Sequence, residues 1–384
     1  MKINNHKGQL PKGAEILHDL KKWSVELGFQ DLRVAHLNVK SDYQQLESWI
    51  ANGYHGSMSY LEKNKDKRLD PSTLVPNTTS IISVRANYLT EPITSAINVL
   101  QDPNSAYISR YALGRDYHKV LRGKLRKLAR RLNDKIGDFG YRAFTDSAPI
   151  LERALARNGG LGWIGKHTNL INKNDGSMFF LGEIFTNLPL EENRKLEKNQ
   201  CGTCTRCLDI CPTKAIISPY KLDARKCISY LTIESKKAIP IALRSLIGNR
   251  IFGCDDCQLF CPWNKYAKLS PIEDFMPRSG LNKKTILELF LIDNDEFEIL
   301  TRGSAIRRIS YAQWIRNLAV ALGNAPTSRD VVIALNKRKS FPDEMVREHI
   351  EWAIAQHKPR QSALNNQISN CEKTTIKPTT HNKQ

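Results

Sequence analysis

Hydrophobic and polar residues alternate with both helical and strand periods through the first 190 positions of this chain. The 3.6-residue period over 13–28 predicts a helix that ends at Gly28, and 149–157 predicts a helix with Pro149 in its first turn. Short apolar runs predict strands over 32–37, 80–88 and 141–145. The turn signal at 174–176 predicts a hairpin between 168–172 and 178–186. Mixed helices and strands indicate a layered α/β or α+β domain.

The segment from Tyr107 to Tyr141 has the clearest amphipathic pattern. Its apolar residues recur at helical spacing: Tyr117, Val120, Leu121, Leu128, Leu132 and Ile136. Ten basic residues occupy the remaining positions: Arg110, Arg115, Lys119, Arg122, Lys124, Arg126, Lys127, Arg130, Arg131 and Lys135. The pattern predicts a helix with one face on a core and a cationic face outward.

From about residue 282 the pattern is helical. Short helices are predicted over 285–291, 305–322, 328–337 and 343–356. Their arrangement resembles one or two helical hairpins of the HEAT kind. Residues 358–384 are polar and rich in lysine, so we expect them to be disordered.

The composition supports packed cores and an anionic partner. Hydrophobic residues make up 41% of the chain, and no apolar run approaches the ~18 residues of a membrane span. The formal net charge is +19, which favours nucleic acid or an acidic membrane surface as a partner, although a solvated basic surface gives the same count. Tyr311 and Trp314 lie among further basic residues and are either base-stacking or core aromatics. Those basic residues are Arg302, Arg307, Arg308, Arg316, Lys337, Arg338 and Lys339.

Eight of the nine cysteines lie between residues 201 and 261. Residues 201–212 read Cys-x2-Cys-x2-Cys-x3-Cys-Pro, which is the spacing of bacterial two-cluster ferredoxins, whose fourth cysteine serves the other cluster. We therefore predict two 4Fe–4S clusters. The ligands of the first are Cys201, Cys204, Cys207 and Cys261, and those of the second are Cys211, Cys227, Cys254 and Cys257.

Zinc and disulfides explain this pattern less well. A structural zinc site rarely uses a third cysteine two residues on and a fourth three residues later. The polar start of the chain lacks a secretory signal, which indicates a reducing cytoplasm. Cys371 stands alone in the polar tail, and we interpret it as a free thiol.

A second candidate site precedes the cysteines. Asp146 follows a predicted strand and precedes a predicted helix, so it either caps that helix or is a general acid whose pKa is raised by partial burial. The glycine-rich loop 159–165 lets backbone approach a bulky ligand. Its spacing is not that of a dinucleotide site, and the sequence contains no Walker loop.

Several of these motifs, in this order, resemble the epoxyqueuosine reductase family. They are 54–61, 110–120, the Asp146 string 146–153, the loop 160–171, the strand 180–183 and the eight cysteines. The resemblance runs from about Gly13 to Gln356. It implies reduction of epoxyqueuosine to queuosine at the wobble position of tRNAs with a GUN anticodon, those for Asp, Asn, His and Tyr. It also implies a cobalamin, two 4Fe–4S clusters and a relationship to reductive dehalogenases.

The resemblance also assigns residue roles. Asp146 occupies the position of the proton donor. The predicted cobalamin contacts are Arg68, Tyr117, Asp146, His167, Ser229 and Asp255. The plainer alternatives are a solvated charge for Arg68, a core position for Tyr117 and a satisfied loop residue for His167. We do not predict His167 as a cobalt ligand, because the family resemblance suggests a base-off cobalamin.

The predicted fold class is α+β. It comprises an N-terminal layered α/β cobalamin-binding domain (1–190), a ferredoxin-like two-cluster domain (191–281), a C-terminal helical HEAT-like tRNA-binding segment (282–357) and a disordered tail (358–384). We expect a cytoplasmic monomer that uses a cellular electron donor and does not bind membranes. The alternatives are a reductive dehalogenase-like enzyme acting on a small molecule, and an electron-transfer module without catalysis. The basic segments and the lack of a twin-arginine signal argue against the dehalogenase, and Asp146 with the glycine loop argues against the module.

Overall fold

The computed structural model describes residues 13–191 and 196–358. The strands are β1 (Asp31–Ala35), β2 (Ser80–Asn87), β3 (Tyr107–Ile108), β4 (Tyr141–Phe144), β5 (Trp163–Ile164), β6 (Leu170–Ile171), β7 (Phe179–Thr186), β8 (Ile216–Ser218), β9 (Lys221–Leu222) and β10 (Arg250–Phe252). The helices are α1 (Gly13–Glu26), α2 (Lys40–Ala51), α3 (Lys65–Leu69), α4 (Pro71–Leu74), α5 (Ile93–Gln101), α6 (Tyr117–Ile136), α7 (Glu152–Asn158), α8 (Arg206–Ile210), α9 (Ile241–Ile247), α10 (Asp256–Leu259), α11 (Ile286–Leu291), α12 (Asn294–Leu300), α13 (Tyr311–Asn324), α14 (Arg329–Lys337) and α15 (344–358). A π-helical turn spans Tyr230–Glu234, and a 3-10 turn spans Ala305–Arg308.

The central sheet has four antiparallel strands in the order β1-β2-β7-β4. Alternate residues of β2 face opposite sides, as the two-residue period of a strand requires. Ile82 and Val84 pack in the same core as α1 and α6, whereas Ile81 packs in the core that contains α7. The sheet is therefore covered by helices on both faces.

Helix α6 confirms the amphipathic prediction. Asp116 caps it by accepting a hydrogen bond from the backbone N–H of His118 at 3.1 Å, and the helix ends at Gly137, where φ is +86°. Its buried leucines are Leu121, Leu125, Leu128 and Leu132. This stripe fixes the start of the helix against the sheet, which matters because Tyr117 and His118 form its first turn.

The C-terminal helices share a core with the N-terminal sheet. One cluster of buried side chains runs from Leu20 and Val84 to Phe290, Trp314 and Ala353. The predicted boundaries at 190/191 and 281/282 therefore cross a continuous core, and they stay predictions. Helix α12 was not predicted, although Asp293 and Glu296 form a capping box at its start.

Two local predictions are wrong. The turn near 174–176 exists, with an isolated bridge between Asn172 and Gly176, but β6 pairs with β5 while β7 joins the central sheet. The sequence signal described the turn and carried no information on the long-range partners of the strands. Helix α7 begins at Glu152 and not at Pro149.

Other predictions lie outside the described residues, namely most of the 358–384 tail with Cys371 and part of the 191–200 linker. In the described ranges, no helix is both long and apolar enough to span a membrane.

Candidate active site and cysteine clusters

Asp146 lies at the centre of a cluster of polar side chains beyond the end of β4. Its carboxylate oxygen Oδ2 accepts hydrogen bonds from the Tyr117 hydroxyl and from Nε2 of His118, the latter at 2.9 Å. The guanidinium of Arg308 lies 3.6 Å from the same oxygen. The Asp146 side chain remains 43% exposed, so a ligand can reach it.

His118 joins two carboxylates. Its Nδ1 lies 2.7 Å from Oδ1 of Asp116, and its Nε2 contacts Asp146. Burial alone would lower the pKa of His118, but the hydrogen bonds to Asp116 and Asp146 raise it above its ordinary value. The imidazolium form, in which both ring nitrogens donate, fits this arrangement.

The pKa of Asp146 corrects the sequence-based expectation. Burial alone would raise this pKa, but the hydrogen bonds from His118 and Tyr117 and the nearby positive charges lower it to about 2. In the absence of substrate, the proton of the pair therefore resides on His118. The capping alternative is also wrong, because Leu151 occupies the N-cap of α7 and no side chain of the described residues caps that helix.

Tyr117 occupies the core position named as its plainer alternative and also contacts Asp146, and its contact with cobalamin stays a prediction. Its ring stacks on Phe180 with 4.2 Å between centroids and an interplanar angle of 5°. Its hydroxyl nevertheless reaches Asp146. Burial and the Asp146 charge raise the pKa of Tyr117 far above its ordinary value, so the hydroxyl acts as a fixed donor.

Arg68 and His167 are both buried. Arg68 donates to the backbone carbonyls of Tyr60, at 3.2 Å, and of Lys63, so the solvated-charge alternative is wrong. His167 is 4% exposed, and burial lowers its pKa to about 4, which keeps the ring neutral. Its Nδ1 accepts the N–H of Asn169 at 3.1 Å, so Nε2 carries the proton. That Nε2–H has no partner among the described residues, which leaves a buried donor for a ligand.

Ser229 and Asp255 lie near the second set of cysteines. The backbone N–H of Ser229 donates to the Cys227 thiolate. Asp255 is buried and accepts hydrogen bonds from Tyr107 (2.8 Å), Ser109 (2.5 Å) and the N–H of Arg110 (2.8 Å). Through these contacts Asp255 holds the segment 107–110 in place, which is a structural role. Its contact with cobalamin stays a prediction.

The first four predicted cluster ligands surround one cavity of about 250 Å³. They are Cys201, Cys204, Cys207 and Cys261. Burial and repulsion from the other three thiolates raise the pKa of Cys207 to about 11. Four thiolates that repel one another in this way suit a cationic iron core. Cys204 is exposed, so this cavity reaches the surface.

The second set lies deeper. Each of Cys227, Cys254 and Cys257 has its pKa raised by burial and by neighbouring cysteines of the set, and Cys211 contributes to the shifts of Cys227 and Cys257. Cys254 donates to Asp256 at 2.8 Å, and Arg250 balances that carboxylate at 2.5 Å. The chain thus brings the eight cysteines together in the two predicted groups, and their role as iron ligands stays a prediction.

Sequence reasoning missed several residues of the Asp146 site. His118 follows Tyr117 within the motif 110–120, and its position two residues after Asp116 was the available signal of a carboxylate–histidine pair. Arg308 lies 162 positions after Asp146, and no local pattern links the two. Glu152 accepts a hydrogen bond from the backbone N–H of Asp146 and contacts the buried Glu183.

The basic C-terminal residues divide into structural and exposed groups. Trp314 and Arg316 are both 0% exposed, and Arg316 donates to backbone carbonyls, among them that of Leu231 at 2.7 Å. Arg338 donates to the Tyr311 hydroxyl at 2.6 Å and to the carbonyl of Ile292 at 2.7 Å. The base-stacking alternative for Trp314 is therefore wrong, and Tyr311 is bonded within the fold. Exposed cations remain at Lys337 and Lys339 and, on α6, at Lys119, Arg126, Lys127 and Arg130.

Two groups of four cysteines match the ligand requirement of two 4Fe–4S clusters, and the Asp146–His118 pair can transfer protons, which together indicate an iron–sulfur oxidoreductase. The family model "4Fe-4S double cluster binding domain" matches residues 200–264, and "Epoxyqueuosine reductase QueG, DUF1730" matches residues 68–147. The epoxyqueuosine reductase of Pseudomonas aeruginosa is 50% identical over 347 residues, which cover 90% of this chain and 96% of that protein. The Escherichia coli epoxyqueuosine reductase is 47% identical over 350 residues, 91% of each chain. The chain belongs to the epoxyqueuosine reductase family and is an oxidoreductase.

Solved structures of epoxyqueuosine reductases share the fold of this chain. A crystal structure of epoxyqueuosine reductase with an epoxyqueuosine-modified tRNA-Tyr stem loop has a TM-score of 0.81 and 28% identity, and covers 90% of both chains. A Bacillus subtilis structure with its catalytic loop swung out of the active site has the same TM-score and identity, and covers 90% of this chain and 91% of that one.

Proposed function

We propose that this protein reduces epoxyqueuosine to queuosine at the wobble position of tRNAs with a GUN anticodon, with cobalamin and two 4Fe–4S clusters as cofactors and Asp146 as the proton donor. The observation that carries the proposal is the Asp146–His118–Tyr117 cluster within a fold shared with solved epoxyqueuosine reductases. The overall reaction takes two electrons and two protons, and the epoxide oxygen leaves as water.

The eight cysteines would hold the clusters in the two groups described above. The donor set fits, because each group offers four sulfur ligands and backbone N–H groups approach the sulfurs, as Ser229 and Tyr230 do at Cys227. Bound clusters supply one-electron transport between the surface and the interior. The π-helical turn that begins at Tyr230 ends at Glu234, whose pKa responds to Arg308 and Asp146. The second group therefore connects with the Asp146 site over a short stretch of chain.

Several buried polar groups suit the cobalamin amides and phosphate. The Nε2–H of His167 and the guanidinium nitrogens of Arg110 are buried with no hydrogen-bond partner in the described part of the chain. Cobalamin carries many amide oxygens and one phosphate, which accept such donors. Bound cobalamin would supply the low-valent cobalt chemistry that acts on the epoxide carbon. Arg68, Tyr117, His167, Ser229 and Asp255 are the residues we assign to its surroundings.

Asp146 and His118 would deliver protons to the departing oxygen. The proton shared between His118 and Asp146 lies next to a carboxylate that is open to ligand. An opened epoxide leaves an alkoxide, which is far more basic than either group, so the proton of His118 passes through the Asp146 carboxylate to that oxygen. Solvent then reprotonates His118, and a second proton that takes the same path lets the oxygen leave as water. Tyr117 and Arg308 hold the carboxylate in position.

The substrate would meet a strongly basic protein. The net charge of +19 and the exposed cations of α6 and α14 favour a polyanion, since each neutralised phosphate releases counterions. The tRNA stem loop seen with a relative at 28% identity supports tRNA as that polyanion.

The direct test uses protein reconstituted with iron, sulfide and cobalamin under anaerobic conditions. Epoxyqueuosine-containing tRNA is incubated with the protein and a low-potential reductant, and its digested nucleosides are measured by mass spectrometry. We expect conversion to queuosine that requires both cofactors. Absence of conversion by protein that holds both clusters and cobalamin would refute the proposal.

A further inference from the structure

The backbone of Asp146 is held from inside the protein. Asp146 has a left-handed conformation with φ of +56°, which a residue with a side chain adopts only at a cost. Its backbone N–H donates to Oε1 of Glu152, the first residue of α7. This contact fixes the turn that directs the carboxylate towards Tyr117 and His118.

Glu152 in turn rests on Glu183 of β7. Glu183 is 0% exposed, and neither of its carboxyl oxygens has a hydrogen-bond partner in the described part of the chain. Burial and the neighbouring charge of Glu152 raise the pKa of Glu183 well above its ordinary value, which favours a neutral carboxyl group next to Glu152. The acceptor that holds Asp146 therefore lies against a carboxyl group buried in the sheet.

The sheet makes this anchor rigid. Glu183 pairs in register with Ser83 of β2 and with Phe144 of β4, the last residue of the strand that precedes the Asp146 turn. Next to it, the Thr145 hydroxyl donates to the carbonyl of Leu181 at 2.8 Å. The backbone before Asp146 is therefore fixed by the sheet, and the backbone at Asp146 itself depends on Glu152.

We infer that Glu152, seated on Glu183, is a positioning residue that latches the Asp146 turn in the conformation competent for catalysis. The inference rests on the proposed function, in which Asp146 is the proton donor. A related enzyme, that of Bacillus subtilis, has been seen with its catalytic loop swung out of the active site, so a loop of this family occupies two positions. In this chain the Glu152 contact is present together with the contacts of the Asp146 carboxylate to Tyr117 and His118.

The test compares Glu152→Ala with Glu152→Gln. Alanine removes the acceptor, whereas glutamine keeps an amide oxygen for the N–H of Asp146 and an amide N–H for Glu183. A hydrogen bond to a charged group is worth roughly 10- to 100-fold in an equilibrium, so kcat of Glu152→Ala should fall by about that factor, with KM for tRNA nearly unchanged. Glu152→Gln should retain most of kcat.

Hydrogen exchange provides a readout that does not need turnover. In Glu152→Ala without tRNA, amides of 145–150 should exchange faster, while those of β7 keep their protection. Glu296→Ala is the matched control, since Glu296 likewise accepts a backbone N–H, that of Asp293 at 2.8 Å, at the start of α12. Its effect should be confined to α12, with kcat unchanged.

The outcomes separate the latch from the proposed function. Faster exchange at 145–150 in Glu152→Ala, restored in Glu152→Gln, supports the latch even in protein that shows no tRNA reduction. Unchanged exchange and kcat in Glu152→Ala overturn the latch. Equal losses in the alanine and glutamine variants, with thermal unfolding unchanged, also overturn it, because the charge of Glu152 would then matter and not its acceptor.

Discussion

The two cysteine groups differ in depth and in neighbours. The first reaches the surface at exposed Cys204, and Lys166 spans its rim by donating to the carbonyls of Gly202 and Cys204 at 2.7 and 2.9 Å. The second has no exposed cysteine and lies beside the Arg250–Asp256 ion pair, and its Cys227 precedes the π-helical turn Tyr230–Glu234 by three residues. From this difference we propose that the first group takes up electrons at the surface and that the second delivers them to the Asp146 site.

The largest effects are expected when one cysteine ligand is removed from each group in turn. Cys257→Ala should lower bound iron from about eight per chain to about four and abolish turnover, because no path then reaches the active site. Cys204→Ala should lose the same amount of iron yet retain measurable turnover with a small chemical reductant, which can reach the second group directly. Iron analysis and queuosine formation measure both effects.

Cys371→Ala is the control for this pair, and it should change neither iron content nor turnover. Zinc in place of iron in the reconstituted protein, or the same loss of turnover from the Cys204 and Cys257 variants under a small reductant, would contradict the division of roles.

A change of pH should alter the rate of the chemical step at Asp146 but not the rate at which the first cysteine group is reduced. The pKa of His118 is raised in the folded protein, so its proton is held at low pH and lost as pH rises through that raised pKa. We therefore expect kcat to fall on the alkaline side, whereas the rate of cluster reduction stays level. His118→Gln should lower kcat by about 100-fold and remove this alkaline limb.

The pH profile is measured with single turnovers and with stopped-flow bleaching of the clusters. If kcat of His118→Gln still falls at alkaline pH as it does in the wild type, a group other than His118 is responsible for the titration.

The smallest effect is expected from two exposed cations, Lys337 at the end of α14 and Lys339 just after it. Lys337→Glu with Lys339→Glu should raise KM for tRNA and reduce its salt dependence, since two fewer phosphates are neutralised. Arg338 is left unchanged because it donates to Tyr311 and Ile292 and its loss would disturb the fold. Cluster reduction should be unaffected, and a KM that does not respond to salt would argue for a small-molecule substrate.

The structural features that depend on local sequence pattern were predicted correctly from the sequence. The stripe of α6 and the strand β2 follow from periodicity, and the cysteine grouping follows from ligand spacing. Such features depend on residues a few positions apart. Helix α12 was missed because its seven residues are too few for a helical period to repeat, although the Asp293–Glu296 capping box marks its start.

The geometry around Asp146 depends on contacts that no local pattern specifies. Arg308 comes from a distant 3-10 turn, and Glu183 from the strand that pairs with β4. The sequence therefore identified Asp146 but gave the wrong direction for its pKa, because the hydrogen bonds from His118 and Tyr117 outweigh burial.

Asp146→Asn is the sharpest test of the proposal that Asp146 passes a proton to the departing oxygen. Asparagine keeps the shape and an oxygen acceptor for Tyr117 but removes the acid. The measurement is a single-turnover conversion of epoxyqueuosine-tRNA by variant protein shown to hold both clusters and cobalamin. We expect a rate at least ~100-fold below wild type, which is the lower range for general acid catalysis. A wild-type rate in that fully loaded variant would contradict it.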